Sequence, residues 1–206
     1  MISLAEFIGK LRLASNSPNI YATGAFGAPT GYKNNSDRYS TNTYNKGYKD
    51  IAKAILRAPD GTFMFDCIGL ARACVWGWDA DPQTRYGGSV YEANDFPACS
   101  IRKVDQYCND WDAENKRMPT IGEILRNKEM DHVGIYWGDG QIIECTSVVA
   151  GIRIRDYKPE DWLGGHGKLN CVDYSFLPDA NKYYDIGKLT CPECGFTFDI
   201  CARRSK

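Results

Sequence analysis

Cys67 closes the run Thr62-Phe63-Met64-Phe65-Asp66-Cys67, a short apolar strand followed at once by an aspartate. Asp66 suits the N-cap of a helix running from Cys67 toward Trp76, with Cys67, Leu70, Ala71 and Cys74 on one face. Unpaired backbone N–H groups and the dipole at such a helix start favour a thiolate. The same N–H groups can meet an oxyanion formed at an attacked carbonyl. The thiol is therefore expected to alkylate below the pH of an ordinary cysteine. The competing reading is an inert core cysteine like Cys74, and the local sequence alone does not separate the two.

A cysteine nucleophile needs a base, and the chain has two histidines. His132 opens the alternating stretch His132-Val133-Gly134-Ile135-Tyr136-Trp137. His166 lies in Gly164-Gly165-His166-Gly167, which reads as a flexible surface loop and a poor holder for a catalytic imidazole. The imidazole in turn needs an acceptor for its second N–H. Glu144, in Ile142-Ile143-Glu144-Cys145, is an odd carboxylate for a half-buried strand unless it faces something useful. Register decides whether it reaches. If Gly138-Asp139-Gly140 is a three-residue loop, His132 falls opposite Thr146, and Glu144 shares its face, diagonal to it. A two-residue loop turns Glu144 away. On this reading Glu144→Gln, which keeps a carbonyl acceptor, is expected to lose less activity than Glu144→Ala.

The elements that must position these groups are legible in part. Ser3-Leu4-Ala5-Glu6 fits a capping box, and Leu4, Phe7, Ile8 and Leu11 carry a helix over 3–14. Residues 30–46 read as a long polar loop, 48–57 as a second helix, and Pro59-Asp60-Gly61 as a turn before a strand at 62–65. Residues 79–117 give no clear assignment. Strands are expected at 131–137, 141–146 and 151–155.

With 43% hydrophobic and 25% charged residues among 206, the chain is an ordinary globular mixture with one sizeable core, or one core and an appendage. Its 25 basic and 26 acidic residues leave a net charge of -1, which argues against electrostatically driven nucleic-acid binding. No apolar run approaches the roughly 20 residues that span a bilayer. Met1-Ile2-Ser3-Leu4-Ala5-Glu6 has no basic n-region, so synthesis in a cytoplasm without a secretory signal is expected.

Nine cysteines in such a setting do not suggest a disulfide framework. Cys74, Cys99, Cys108, Cys145 and Cys171 read as core fillers. Cys191-Pro192-Glu193-Cys194-Gly195 reads as a zinc knuckle in a C-terminal tail set off near Pro178, with Cys201 following. A fourth ligand would come from Cys171, His166, a carboxylate or a partner chain. A free-thiol tail and a disulfide formed after export are the alternatives.

Phe65-Asp66-Cys67-Ile68-Gly69-Leu70 resembles the Asp-Cys-Ser-Gly-Leu signature of NlpC-type, papain-like cell-wall peptidases. His132-Val133-Gly134-Ile135-Tyr136 resembles their His-Val-Gly-Ile-Tyr strand, and Glu144 occupies the place of their third polar residue. Tyr21-Ala22-Thr23-Gly24 is similar to the Tyr-x-x-Gly that precedes the nucleophile. Ile68 stands where the family usually has Ser, and the segment between Tyr21 and Cys67 is longer than usual. The resemblance covers about residues 18–175, and the Trp162…Asp173-Tyr174 ending looks like phage-encoded lysins. It implies a papain-like α+β fold, with the nucleophile's helix packed on an antiparallel sheet, for a domain over 1–178; the cysteine-bearing tail over 179–206 is read from the sequence itself. It implies hydrolysis of a stem-peptide amide by Cys67, His132 and Glu144. Tyr21 would position substrate or stabilise the oxyanion, and Asp66 would meet the stem peptide's free amine. Bacterial peptidoglycan is the expected partner, with no nucleic acid or membrane, and the expected place of action is the wall after release. No metal or organic cofactor is needed for that chemistry; zinc at Cys191 and Cys194 would be structural. A non-catalytic wall- or protein-binding module with a working zinc tail, and an acyltransferase using the same triad, are the other function classes.

Overall fold

Ser3 starts the first helix as the capping box predicts, its hydroxyl oxygen accepting the Glu6 backbone N–H at 3.2 Å. The computed structural model describes residues 1–90, 96, 97, 100–149, 151–175, 187–190 and 197–200. In chain order the elements are β1 (Ile2–Ser3), α1 (Leu4–Asn16), β2 (Asn19–Tyr21), β3 (Phe26–Pro29), α2 (Asn35–Thr41), α3 (Lys49–Arg57), β4 (Phe63–Phe65) and α4 (Cys67–Val75). A 3₁₀ helix at Ile101–Tyr107 leads into β5 (Cys108–Asp112), β6 (Ile124–Arg126), β7 (Val133–Gly138), β8 (Gln141–Thr146), β9 (Gly151–Asp156), β10 (His166–Leu169) and β11 (Val172–Asp173).

The architecture is α+β. Six antiparallel strands in the order β5-β10-β6-β7-β8-β9 make the main sheet, and β2-β4-β3 make a small one with β4 in the middle. Every residue of β4 is buried, as its unbroken apolar run requires. Helix α4 packs against β7 and β8 on one side and against α1 and β3 elsewhere. Its residues Cys67 to Cys74 are all buried, which is why it is apolar all round rather than striped. The nucleophile candidate thus opens a buried helix lying on the sheet that carries His132 and Glu144.

The hairpin register is the one that the triad needs. Ile135 pairs with Ile143 and Tyr136 with Ile142, the three-residue-loop parity, and the irregularity is confined to the tip at Gly138 and Gln141. Asp139 there takes a left-handed φ of 49° between two positive-φ glycines.

Two expectations are corrected, and one unassigned stretch is resolved. Residues 30–46 are not a continuous loop, because α2 forms within them. Its weak intrinsic propensity is overridden by tertiary contacts: buried Asn35 donates to the carbonyls of Pro29 and Arg85 at 2.9 and 3.0 Å, and Tyr39 is buried. The stretch 79–117 contains the 3₁₀ helix and β5, an edge strand too polar to show alternation. His166 is not a surface residue. It sits in β10 with its ring fully buried, and the neighbouring glycines serve packing: a Cβ on Gly165 or Gly167 would press on Trp111 of β5 at 2.8 and 2.9 Å.

Residues 174–206 form a second compact unit, separate from Met1–Asp173. Within it β12 (Gly187–Thr190) pairs antiparallel with β13 (Thr197–Ile200). Pro178 and the zinc-knuckle candidates Cys191, Cys194 and Cys201 lie outside the described residues.

Candidate active site

Asp66 caps α4, one oxygen accepting the Gly69 N–H at 2.5 Å. Its other oxygen accepts the Gly24 N–H at 2.7 Å, which ties the turn after Tyr21 to the start of the helix. Burial pushes its carboxyl up, against the opposing pull of those two backbone bonds. Both oxygens of the expected amine-binding residue are therefore already engaged by the fold.

Cys67 is 5% exposed, at the first position of α4. Its thiol faces the backbone N–H of Val133, the residue after His132, besides the N–H groups of Ile68 and of Cys67 itself. These donors lower its pKa, but burial, and then the charge of Asp66, push the thiol up to about 12. Desolvation at this position works against the easy alkylation expected of a helix start.

The candidate base has an acceptor. His132 Nε2 lies 2.7 Å from Glu144 Oε2 across β7 and β8. Burial pushes Glu144 up, but the hydrogen bonds from His132, Arg155 and Arg153 outweigh it and hold the carboxyl at about 2. An ionised carboxylate only accepts, so Nε2 carries the hydrogen and Nδ1 is the free, basic nitrogen. The ring of Trp162 flanks His132 at 5.7 Å between centroids.

Arg153 and Arg155 are site residues that sequence reasoning missed. Both guanidiniums reach Glu144 Oε1, Arg153 at 2.6 Å and Arg155 at 2.7 Å. The signal was present in Gly151-Ile152-Arg153-Ile154-Arg155, whose alternation puts both arginines on one face. Only the pairing of Glu144 with Arg153 reveals what that face meets.

Tyr21 ends β2 beside Cys67 and Asp66. Burial first, then the proximity of Cys67 and Asp66, raise its phenol well above the ordinary range, so it is a neutral donor at any working pH. His166, by contrast, is engaged elsewhere: Nδ1 lies 2.6 Å from Glu123 and Nε2 3.1 Å from the Arg117 carbonyl. Glu123 is fully buried and also accepts from Arg117 and Thr120. This network ties the 112–123 segment to β6 and β10. Among the described residues no group of three or more His, Cys, Asp or Glu side chains is placed to hold a metal ion.

The chain matches no protein-family model and no curated protein sequence. Among solved structures it is similar to the peptidoglycan hydrolase RipB from Mycobacterium tuberculosis, with 16% identity over 83% of this chain and a TM-score of 0.46. It spans 65% of that chain, less than two thirds of its length. It is also similar to the P60 domain of the M. avium subspecies paratuberculosis antigen MAP1204, with 15% identity, 80% of this chain and 93% of that one covered, and a TM-score of 0.43. The P60 domain of the M. avium paratuberculosis antigen MAP1272c gives 13% identity, 81% and 92% coverage, and a TM-score of 0.45.

Proposed function

We propose that this chain is a cysteine peptidase of the bacterial cell wall that hydrolyses an amide bond of the peptidoglycan stem peptide. The reaction class rests on one observation: the 2.7 Å contact of His132 Nε2, just before β7, with Glu144 on β8, the two strands against which the Cys67 helix packs. The substrate class rests on the motif resemblance around Tyr21, Cys67 and His132.

In this mechanism His132 Nδ1 takes the thiol proton as Cys67 Sγ attacks the carbonyl carbon. Coupling the two events removes the need for a free thiolate, which burial opposes. The resulting oxyanion faces backbone N–H groups at the start of α4, with the Tyr21 hydroxyl as a further donor. His132 returns the proton to the departing amine, and water then hydrolyses the thioester with His132 as base. Glu144 holds the ring and stabilises the imidazolium. The resemblance assigns Asp66 to a substrate amine, and each of its oxygens keeps a lone pair beyond the backbone bond it accepts. Action at the wall after release from a bacterial cytoplasm, as the phage-lysin resemblance implies, completes the reading.

The test is digestion of purified peptidoglycan with mass spectrometry of the released fragments. Cys67→Ala and His132→Ala are each expected to abolish fragment release while circular dichroism stays native. Retention of more than a few per cent of activity by either variant rejects the assignment. His166→Ala is expected to keep the cleavage pattern and to cost stability instead.

A further inference from the structure

Glu144 presents two unequal oxygens. Oε2 meets His132 at 2.7 Å, whereas Oε1 takes Arg153 through Nε at 2.7 Å and Nη2 at 2.6 Å, and Arg155 through Nε at 2.7 Å. Arg155 is itself fixed. Its Nη1 lies 2.8 Å from Asp161 Oδ2, and its guanidinium sits 5.7 Å from the centroid of Trp162, the ring that flanks His132. Arg153 is the more open of the two, with 36% of its side chain exposed against 25%.

We propose that Arg153 and Arg155 are positioning residues for the base: they occupy one oxygen of Glu144, so that the other is presented to His132 and fixes the imidazole tautomer that leaves Nδ1 free. This deepens the catalytic reading given above and rests on it. A carboxylate on a strand can rotate about its last torsion, and a rotated carboxylate offers His132 a poorer acceptor direction. Two guanidiniums on one oxygen remove that freedom. They also spread part of the carboxylate's charge, so the imidazolium formed in the reaction is stabilised less than a lone buried Glu144 would stabilise it.

The charged and titratable groups around His132 and Glu144 set the sign of the test. From β9 come Arg153 and Arg155, and from the segment beyond it Asp161. Beside Glu144 on β8 is Cys145, and around Cys67 lie Asp66 from the cap of α4 and Tyr21 from β2. Removing the two arginines takes positive charge from this set and leaves the acids in place. Protonation of His132 becomes easier and ionisation of Cys67 harder, so both limbs of the rate profile move to higher pH.

The measurement is nitrogen NMR of the 206-residue chain with ¹⁵N-histidine, in a Cys67→Ala background so that no thiolate contributes. With two histidines in the chain, His166 is the internal control. In R153Q/R155Q the His132 midpoint is expected to rise by about 0.5–1 unit and its tautomer signals to become mixed, with His166 unchanged. R153K/R155K keeps the charge and loses the fork, so its midpoint is expected to stay and its tautomer to mix. The companion measurement is kcat and KM against pH on a soluble stem peptide with Cys67 restored. In R153Q/R155Q both limbs move up, and kcat falls about tenfold with KM changed less than about twofold.

An unchanged His132 midpoint and tautomer in folded R153Q/R155Q overturns the proposal. If that variant does not fold, R153Q alone carries the same measurement, and an unchanged midpoint and tautomer there overturns the proposal equally. Because the NMR arm needs no turnover, activity surviving in Cys67→Ala would defeat the catalytic reading while leaving the arginine effect on His132 separately measurable.

Discussion

At Glu144 the surroundings reverse what the residue type suggests. Taken alone, glutamine is the milder replacement, because its amide oxygen can still accept from His132. The guanidiniums of Arg153 and Arg155 donate only, so they claim that oxygen and turn the amide N–H₂ toward Nε2. His132 Nε2 must then accept, the proton moves to Nδ1, and the nitrogen needed as base is blocked. Glu144→Gln is accordingly expected to lose on the order of 10³-fold in kcat, the cost of a pinned wrong tautomer, whereas Glu144→Ala leaves the ring free and loses about 10²-fold. Steady-state kinetics on a soluble stem peptide decide the order. A glutamine variant clearly more active than the alanine variant would mean that the arginines do not control the amide. Sequence reasoning singled out His132 and Glu144, which the structure brings within 2.7 Å, because both carry their chemistry in their types. It missed the arginines because a guanidinium on an alternating strand announces only an exposed face until the opposite strand is known.

At the scale of elements, the two motif glycines record how closely the helix that starts at Cys67 and the strand that follows His132 approach their neighbours. Gly69 lies in the first turn of α4, where a Cβ would collide with the backbone carbonyl of Ala25. A carbonyl in a tight turn cannot move aside, so Gly69→Ala is expected to abolish folding or to displace the start of α4 and with it Cys67. Gly134 lies under Trp162, whose Cη2 would sit 2.8 Å from an added Cβ. That ring can shift, so Gly134→Ala is expected to fold with a loss of about 1–3 kcal/mol, the ordinary cost of overpacking. It is also expected to lower kcat, because Trp162 flanks both His132 and Arg155. Gly9 is the contrast. It lies in the exposed middle of α1 with nothing within 4 Å of an added Cβ, so Gly9→Ala is expected to gain about 0.5–1 kcal/mol. Thermal melts of the three variants check the ranking, and equal behaviour at Gly69 and Gly9 would sink the close-approach argument. The existence of α1, α3, α4 and the β7–β8 hairpin was legible because each repeats an apolar period or ends on a recognised cap or turn. Helix α2 and strand β5 were not, since buried Asn35 and the contact of Trp111 with Gly165 and Gly167 are tertiary facts with no local periodicity.

The whole molecule divides at Asp173, and Cys67, His132, Glu144, Arg153, Arg155, Tyr21 and Asp66 all belong to the unit Met1–Asp173. That unit carries a core and a site whose hydrogen bonds are internal to it. His166, a candidate fourth metal ligand for the tail on sequence grounds, has both ring nitrogens engaged by Glu123 and Arg117, so recruiting it would break the buried network that holds the 112–123 segment. A metal in the cysteine tail would therefore act on that tail's own folding, where binding and folding free energies are the same quantity. Chelation of the full chain is accordingly expected to leave hydrolysis of a soluble stem peptide within about twofold of its starting rate, since no step at Cys67 or His132 calls on the tail. Deletion of residues 174–206 is expected to do the same, and any loss on intact walls without loss on the soluble peptide would assign the tail to docking. Elemental analysis of protein purified under reducing conditions tells whether Cys191 and Cys194 hold zinc at all. Collapse of soluble-peptide hydrolysis on chelation would be the damaging outcome: it would make a metal part of the chemistry and leave the short His132–Glu144 contact without the role assigned to it.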